Sequence, residues 1–167
     1  MLHAENDGFS YIIRPIQGDD KDRLIELFHQ LSPDSRYLRF AHAMSKLPDE
    51  FLNDILDLDY DREMALVACI QNQSKREEII GIARYVAPTD STESEFSLTV
   101  SDHYSHHGVG TQLMRQLINY ARKKGLKSMV GYILSNNSKM LHLVKELGFH
   151  LKYSVEAPEF KIATLSL

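Results

Sequence analysis

The sequence predicts a mixed α/β fold of the α+β kind, one central sheet of about seven strands flanked by helices. Three observations carry this. Residues 64–70, MALVACI, form a nearly continuous apolar run of strand length. Phe96, Leu98 and Val100 alternate with Glu95, Ser97 and Thr99, the period of a half-buried strand. Leu113, Met114, Leu117, Ile118 and Ala121 then recur at helical spacing. A strand–helix–strand run demands parallel pairing, and the hairpins around it demand antiparallel pairing.

Residues 1–9 are polar and expected to be a flexible N-terminus, leaving 10–167 as a single domain. Residues 11–14, YIIR, read as the first strand. Gly18-Asp19-Asp20 is turn chemistry, with an aspartate placed to cap the next helix. Leu24, Leu27, Phe28 and Leu31 put that helix over about 20–31. Ser32-Pro33 restarts a short aromatic helix, with Ser as cap and Pro in first position. Pro48 opens a third helix carrying Phe51, Leu52, Ile55 and Leu56 on one face.

Strands over 64–70 and 79–86 flank the polar hairpin loop QNQSKREE. Residues 88–94 are a turn, and 95–100 the fourth strand. The helix after it stops at Gly125, after Arg122, Lys123 and Lys124 at its negative end. Residues 129–134 are the fifth strand. Polar residues 135–138 cap a helix carrying Met140, Leu141, Val144 and Leu147, which ends at Gly148. Residues 150–155 and 160–167 are the last two strands.

Composition narrows the function classes. With 167 residues the chain makes one domain with a real core. A net charge of −4 argues against a general nucleic-acid surface. No apolar run has membrane-spanning length, and the N-terminus lacks the pattern of a signal peptide. The single cysteine, Cys69, excludes an internal disulfide and fits a reducing compartment. A cytoplasmic monomer or homodimer is expected. Cys69 and Met114 read as core residues, with no base beside the thiol.

Chemistry concentrates in 95–120. The turn Gly108-Val109-Gly110-Thr111 opens a helix and leaves bare backbone amides at its N-terminus, a ready anion site. Glu95 lies on the strand that feeds this turn. A cradle for an anion beside a carboxylate suggests a phosphate-bearing cosubstrate with a base near its reactive end. His103, His106 and His107 read as part of a phosphate loop, so no metal is expected.

These features together resemble the GNAT superfamily of acyl-CoA-dependent N-acyltransferases. The stretches SPDSRYLRF (32–40), DYDREMALVA (59–68), EFSLTVSD (95–102), GVGTQLMRQLINYARKKG (108–125) and NSKMLHLVKELGF (137–149) look like one branch of it. That branch comprises the bacterial protein-lysine acetyltransferases, whose GNAT domain is often fused to a regulatory domain. At 167 residues this chain is expected to carry no such domain.

The resemblance implies a sheet splayed between the fourth and fifth strands, with acetyl-CoA as cosubstrate. Ser105, His106, His107, Gly108, Val109, Gly110 and Thr111 would hold its pyrophosphate. Leu98 and Val100 would offer backbone groups to its pantetheine arm, and Asn137 would contact the same arm or cap its helix. The family usually has Gln or Arg where Ser105 stands and a basic residue where His107 stands. Histidines touching phosphate would strengthen binding as pH falls through about 6.5.

Glu95 matches the family's general base. The tyrosine acid of many relatives falls on Val144, leaving Tyr104 and Tyr132 as the nearest hydroxyls in sequence. The implied acceptor is a reactive lysine on a protein, for example an acyl-CoA synthetase. A small amine is the alternative, and a non-catalytic CoA-binding regulatory module is a second.

Overall fold

The computed structural model describes residues 1–6, 8–31, 48–105 and 107–167. One eight-stranded sheet has the order β1-β2-β3-β4-β5-β6-β8-β7. The strands are β1 (Leu2–Asn6), β2 (Phe9–Pro15), β3 (Glu63–Gln71), β4 (Glu77–Val86), β5 (Glu93–Val100), β6 (Ser128–Leu134), β7 (His150–Tyr153) and β8 (Phe160–Ser166). The α-helices among the described residues are α1 (Lys21–Gln30), α2 (Pro48–Leu56), α3 (Val109–Lys123) and α4 (Ser138–Glu146). The expected helix over 32–40 lies outside the described residues.

All strand pairs are antiparallel except β5–β6, which is parallel and joined through α3. The sheet has eight strands rather than the expected seven. The extra one is β1, in the stretch expected to be a flexible terminus, and it pairs with β2 from Leu2↔Ile13 to Asn6↔Phe9. Its signal in sequence is faint, because only Leu2 and Ala4 turn apolar side chains to the core.

Alternation divides the core into two. Met64, Leu66 and Ala68 face α3 and α4, in a cluster with Phe96, Leu98, Leu113, Met114 and Val144. Ala65, Val67 and Cys69 face α1 and α2, in a cluster with Leu24, Leu27, Leu52 and Ile55. A bulge in β4 shifts the β3–β4 register after Ala68↔Gly81, so that Cys69 pairs with Ile79. The extra residue changes parity, and both Ile79 and Ile82 therefore face the α1/α2 side. Gly81 sits at this bulge, where a Cβ would lie 3.0 Å from Leu113 Cδ1 and 3.2 Å from the Thr99 carbonyl. The bare glycine lets α3 lie close on the sheet.

The aspartate expected to cap α1 does something else. Asp20 occupies the N-cap position without a side-chain cap bond. Its fully buried carboxylate accepts two 2.8 Å hydrogen bonds from the Arg14 guanidinium, one at 2.7 Å from the Gln17 amide and one at 3.0 Å from Arg23. Arg14 also donates to Glu77 on β4. One guanidinium thus ties the start of α1 to β2 and β4.

Among the described residues, no helix is long and apolar enough to cross a membrane.

Candidate active site

Strands β5 and β6 pair only over Glu93↔Ser128, Ser94↔Met129 and Glu95↔Val130, then part. The expected splay between these two strands is therefore present. Beyond Glu95 the β6-facing backbone groups of β5 lose their partner strand, which leaves them available to a bound chain. Next to the last pair stand Phe96 and Gly131. A Cβ on Gly131 would lie 2.3 Å from Cε1 and 2.4 Å from Cζ of the Phe96 ring. The ring fills the space over bare backbone where the strands separate.

Gly131→Ala is accordingly expected to destabilise the fold by about 1–3 kcal/mol, the usual cost of overpacking. Adding Phe96→Leu should recover most of the loss. Thermal melts of the two single variants and the double variant test the pairing, and a double variant no better than Gly131→Ala would refute it.

The parted strands open into a cleft of about 1390 Å³. Its floor is β5 from Glu95 to Val100, with Tyr132, Ile133 and Leu134 of β6 opposite. At one end stand Ser105, Gly108, Gly110 and Thr111 at the start of α3, and Asn137 and Lys139 at the start of α4. At the other stand Asp54 of α2 and Asp57 just after it, with Glu63, Arg84 and Val86.

Gly108 adopts φ 73°, a left-handed conformation that glycine accepts without Cβ strain. This N-cap sets the direction of α3, whose first intrahelical bond runs from the Gln112 amide to the Gly108 carbonyl at 3.1 Å. The amides of the preceding residues head the helix, at its positive end. A Cβ on Gly110 would meet Leu143 Cδ1 at 3.1 Å, Leu98 Cδ2 at 3.3 Å and Val100 Cγ2 at 3.5 Å. The α3 backbone therefore approaches β5 as closely as a side-chain-free residue allows. Thr99 adds a buried hydroxyl that lines the cleft without a hydrogen-bond partner. An amide-lined helix end, a glycine cradle and an unpaired hydroxyl along one groove fit a long polar carrier ending in phosphates.

Eight of the eleven residues expected at the site line this cleft: Glu95, Leu98, Val100, Ser105, Gly108, Gly110, Thr111 and Asn137. Val109 does not, because its side chain is buried under α3. His107 does not either. Its ring stacks on Phe9 of β2, with centroids 4.3 Å apart and planes 22° apart. His106 lies outside the described residues. Asn137 caps α4 by accepting from the Met140 amide at 3.2 Å, which leaves its side-chain NH2 to the cleft.

Of the two tyrosines nearest in sequence, Tyr132 lines the cleft and is 40 % exposed. Tyr104 instead packs against Phe9, at 5.4 Å between ring centroids. Burial, with Glu78 adding to it, pushes the Tyr104 hydroxyl above its ordinary value, which weakens it as an acid. Val144 is fully buried in the core.

Two cations in the lining were not expected here. Arg84 lies opposite Ser97, two residues along the same strand face from Glu95, and pairs with Glu63 at 3.2 Å. Its signal was a lone cation inside the apolar run of β4. Lys139 had none, since an exposed lysine in the first turn of a helix is ordinary.

The fold and the cleft define an enzyme of the acyl-transfer class. Residues 24–149 match the family model described as "Acetyltransferase (GNAT) family", and the chain belongs to that family. It is 33% identical over 148 residues to Acetyltransferase PA5475 of Pseudomonas aeruginosa, covering 89% of this chain and 79% of that protein. It is 26% identical over 139 residues to Acetyltransferase Pat of Mycolicibacterium smegmatis, covering 83% of this chain and 40% of that longer protein. The crystal structure of the GNAT domain of S. lividans PAT superposes with a TM-score of 0.85 at 26% identity, covering 99% of this chain and 97% of that one.

Proposed function

We propose that this acetyltransferase moves the acetyl group of acetyl-CoA to the side-chain amine of a lysine on a partner protein, by direct transfer with Glu95 as general base. The observation that carries the reading is the placement of Glu95. It is the last residue of β5 paired to β6, and it lines the same cleft as the amide-bearing start of α3. Base and phosphate cradle thus flank the point where the strands part.

Acetyl-CoA would supply an activated thioester: an amine nitrogen bonds to its carbonyl carbon through a tetrahedral centre, whose collapse breaks the C–S bond and releases coenzyme A as a thiolate that takes a proton from solvent. The amine must first lose a proton, because a lysine of pKa about 10.4 is only about one part in 10³ neutral at pH 7.5. Glu95 takes that proton, directly or through one water. Unpaired β5 amides beyond Glu95 offer hydrogen bonds to the developing oxyanion. The carboxylates Asp54, Asp57 and Glu63 around the far end attract a cationic acceptor. Likeness to the Pat proteins supports a protein acceptor. A single buried thiol suits work in the reducing cytoplasm.

The test is mass spectrometry of a desalted cell lysate incubated with the protein and isotopically labelled acetyl-CoA, with the Glu95→Gln variant in parallel. Label on a few lysines, absent with the variant, is the expected result. No enzyme-dependent protein label would overturn the lysine acceptor, and a screen of small amines would then identify the substrate.

A further inference from the structure

The end of the cleft at the start of α3 has little positive charge on its own loop among the described residues. The loop leading into α3 carries Ser105, which has no charge, and His107 is stacked on Phe9 rather than turned to the cleft. Backbone amides and a helix dipole attract an anion, but a pyrophosphate carries more than one full charge, and Asp102 stands at the same end. Two cations line the cleft among the described residues. Arg84 is at the far end, held by Glu63. Lys139 is at this end, with its Nζ 3.5 Å from Ser105 Oγ.

We propose that Lys139, on α4, supplies a fixed positive charge to the pyrophosphate site. The proposal rests on the acetyl-CoA reading above. Lys139 is 34 positions from Ser105 in the chain yet in contact with it, so a cation on α4 stands at the end of the cleft where α3 begins. Its anchorage is sound. Asn137 caps the helix two residues earlier, which fixes the first turn on which Lys139 stands. Its ammonium is exposed and can swing from the Ser105 hydroxyl to a phosphate oxygen without breaking a buried contact. Lysine serves as a point charge here, so arginine should replace it.

The test is calorimetric titration of three ligands: acetyl-CoA, 3′-dephospho-CoA and S-acetylpantetheine, which has no pyrophosphate. Lys139→Ala is expected to weaken acetyl-CoA and 3′-dephospho-CoA about tenfold each. S-acetylpantetheine should bind as it does to the parent protein. Lys139→Arg should restore acetyl-CoA affinity to within about twofold, and the Ala variant should show a shallower dependence of affinity on salt. Unchanged acetyl-CoA affinity in Lys139→Ala would overturn the proposal. A loss that vanishes with 3′-dephospho-CoA would overturn the pyrophosphate assignment. Failure of the parent protein to bind acetyl-CoA would instead refute the underlying reading of the site, and is distinguishable on the first titration.

Discussion

Glu95→Gln is expected to lower kcat by about 10²–10⁴-fold and to leave acetyl-CoA affinity within about twofold. Glutamine keeps the shape of glutamate and its place at the end of the β5–β6 pairing, but cannot accept the proton of an ammonium. On the proposed reading the carrier is held by the start of α3 and the parted strand, away from Glu95, so its binding should survive. The pH profile gives the sharper signature. A lysine acceptor deprotonates in solution as pH approaches about 10, so the deficit of the variant should shrink steadily between pH 7.5 and pH 9.5. Steady-state rates across that range, with calorimetry at one pH, separate a lost base from a damaged site. A variant with full activity at pH 7.5 would remove Glu95 from the mechanism.

The largest effect on stability is expected from Asp20→Ala. The Asp20 carboxylate is fully buried and receives bonds from Arg14, Arg23 and the Gln17 amide. Removing it strands much of the buried Arg14 guanidinium, and such losses cost about 3–5 kcal/mol. For a chain of this size that lowers Tm by about 10 °C. Glu77 still neutralises part of Arg14, which argues for the lower end of the range.

The same network predicts a direction with pH. Burial alone would raise the Asp20 carboxyl, but Arg14, Gln17 and Arg23 outweigh it and hold the group below its ordinary value. The hydrogen bond from Arg14 does the same for Glu77 against a smaller burial cost. Both carboxyls are therefore more acidic folded than unfolded. Their contribution is complete above the unfolded carboxylate range, near pH 4, and is lost as pH falls through the depressed folded values. Thermal melts should be nearly flat from pH 5 to pH 7 with respect to these groups and should fall steeply below pH 4. Asp20→Ala should flatten that fall. An equally steep decline in the variant would show that other groups govern acid unfolding.

What the sequence made legible came from regular patterns with one competing force. The helical period from Leu113 to Ala121 marked α3, and the apolar run over 64–70 marked β3. The positions of the glycine turn and of Glu95 in the cleft were readable because they depend on local backbone and on strand alternation. The rest depended on contacts distant in sequence. Asp20 looked like a helix cap, since the residue that claims its carboxylate, Arg14, sits on another element. His107 looked like a phosphate ligand, since Phe9 is on a strand nearly a hundred residues earlier. The β4 bulge has no pattern of its own beyond Gly81, and β1 offers only two apolar side chains to a sheet that supplies the remaining support. Arg84 and Lys139 enter the cleft by sheet register and by the packing of α4, neither of which a linear pattern encodes.

The buried thiol of Cys69 gives the protein a built-in sensor of its own opening. Burial, reinforced by Glu77, pushes this thiol up to about 12, so at pH 8 only about one part in 10⁴ is thiolate. Reagents that alkylate thiolates are shut out both by acidity and by the helices packed over β3. Because the chain has one cysteine, each labelling event marks a single site. The rate of labelling then counts how often the α1/α2 layer lifts from the sheet. That layer carries α2, which also borders the acceptor end of the cleft. Its breathing in the presence and absence of a bound acceptor can be timed chemically, without any added probe.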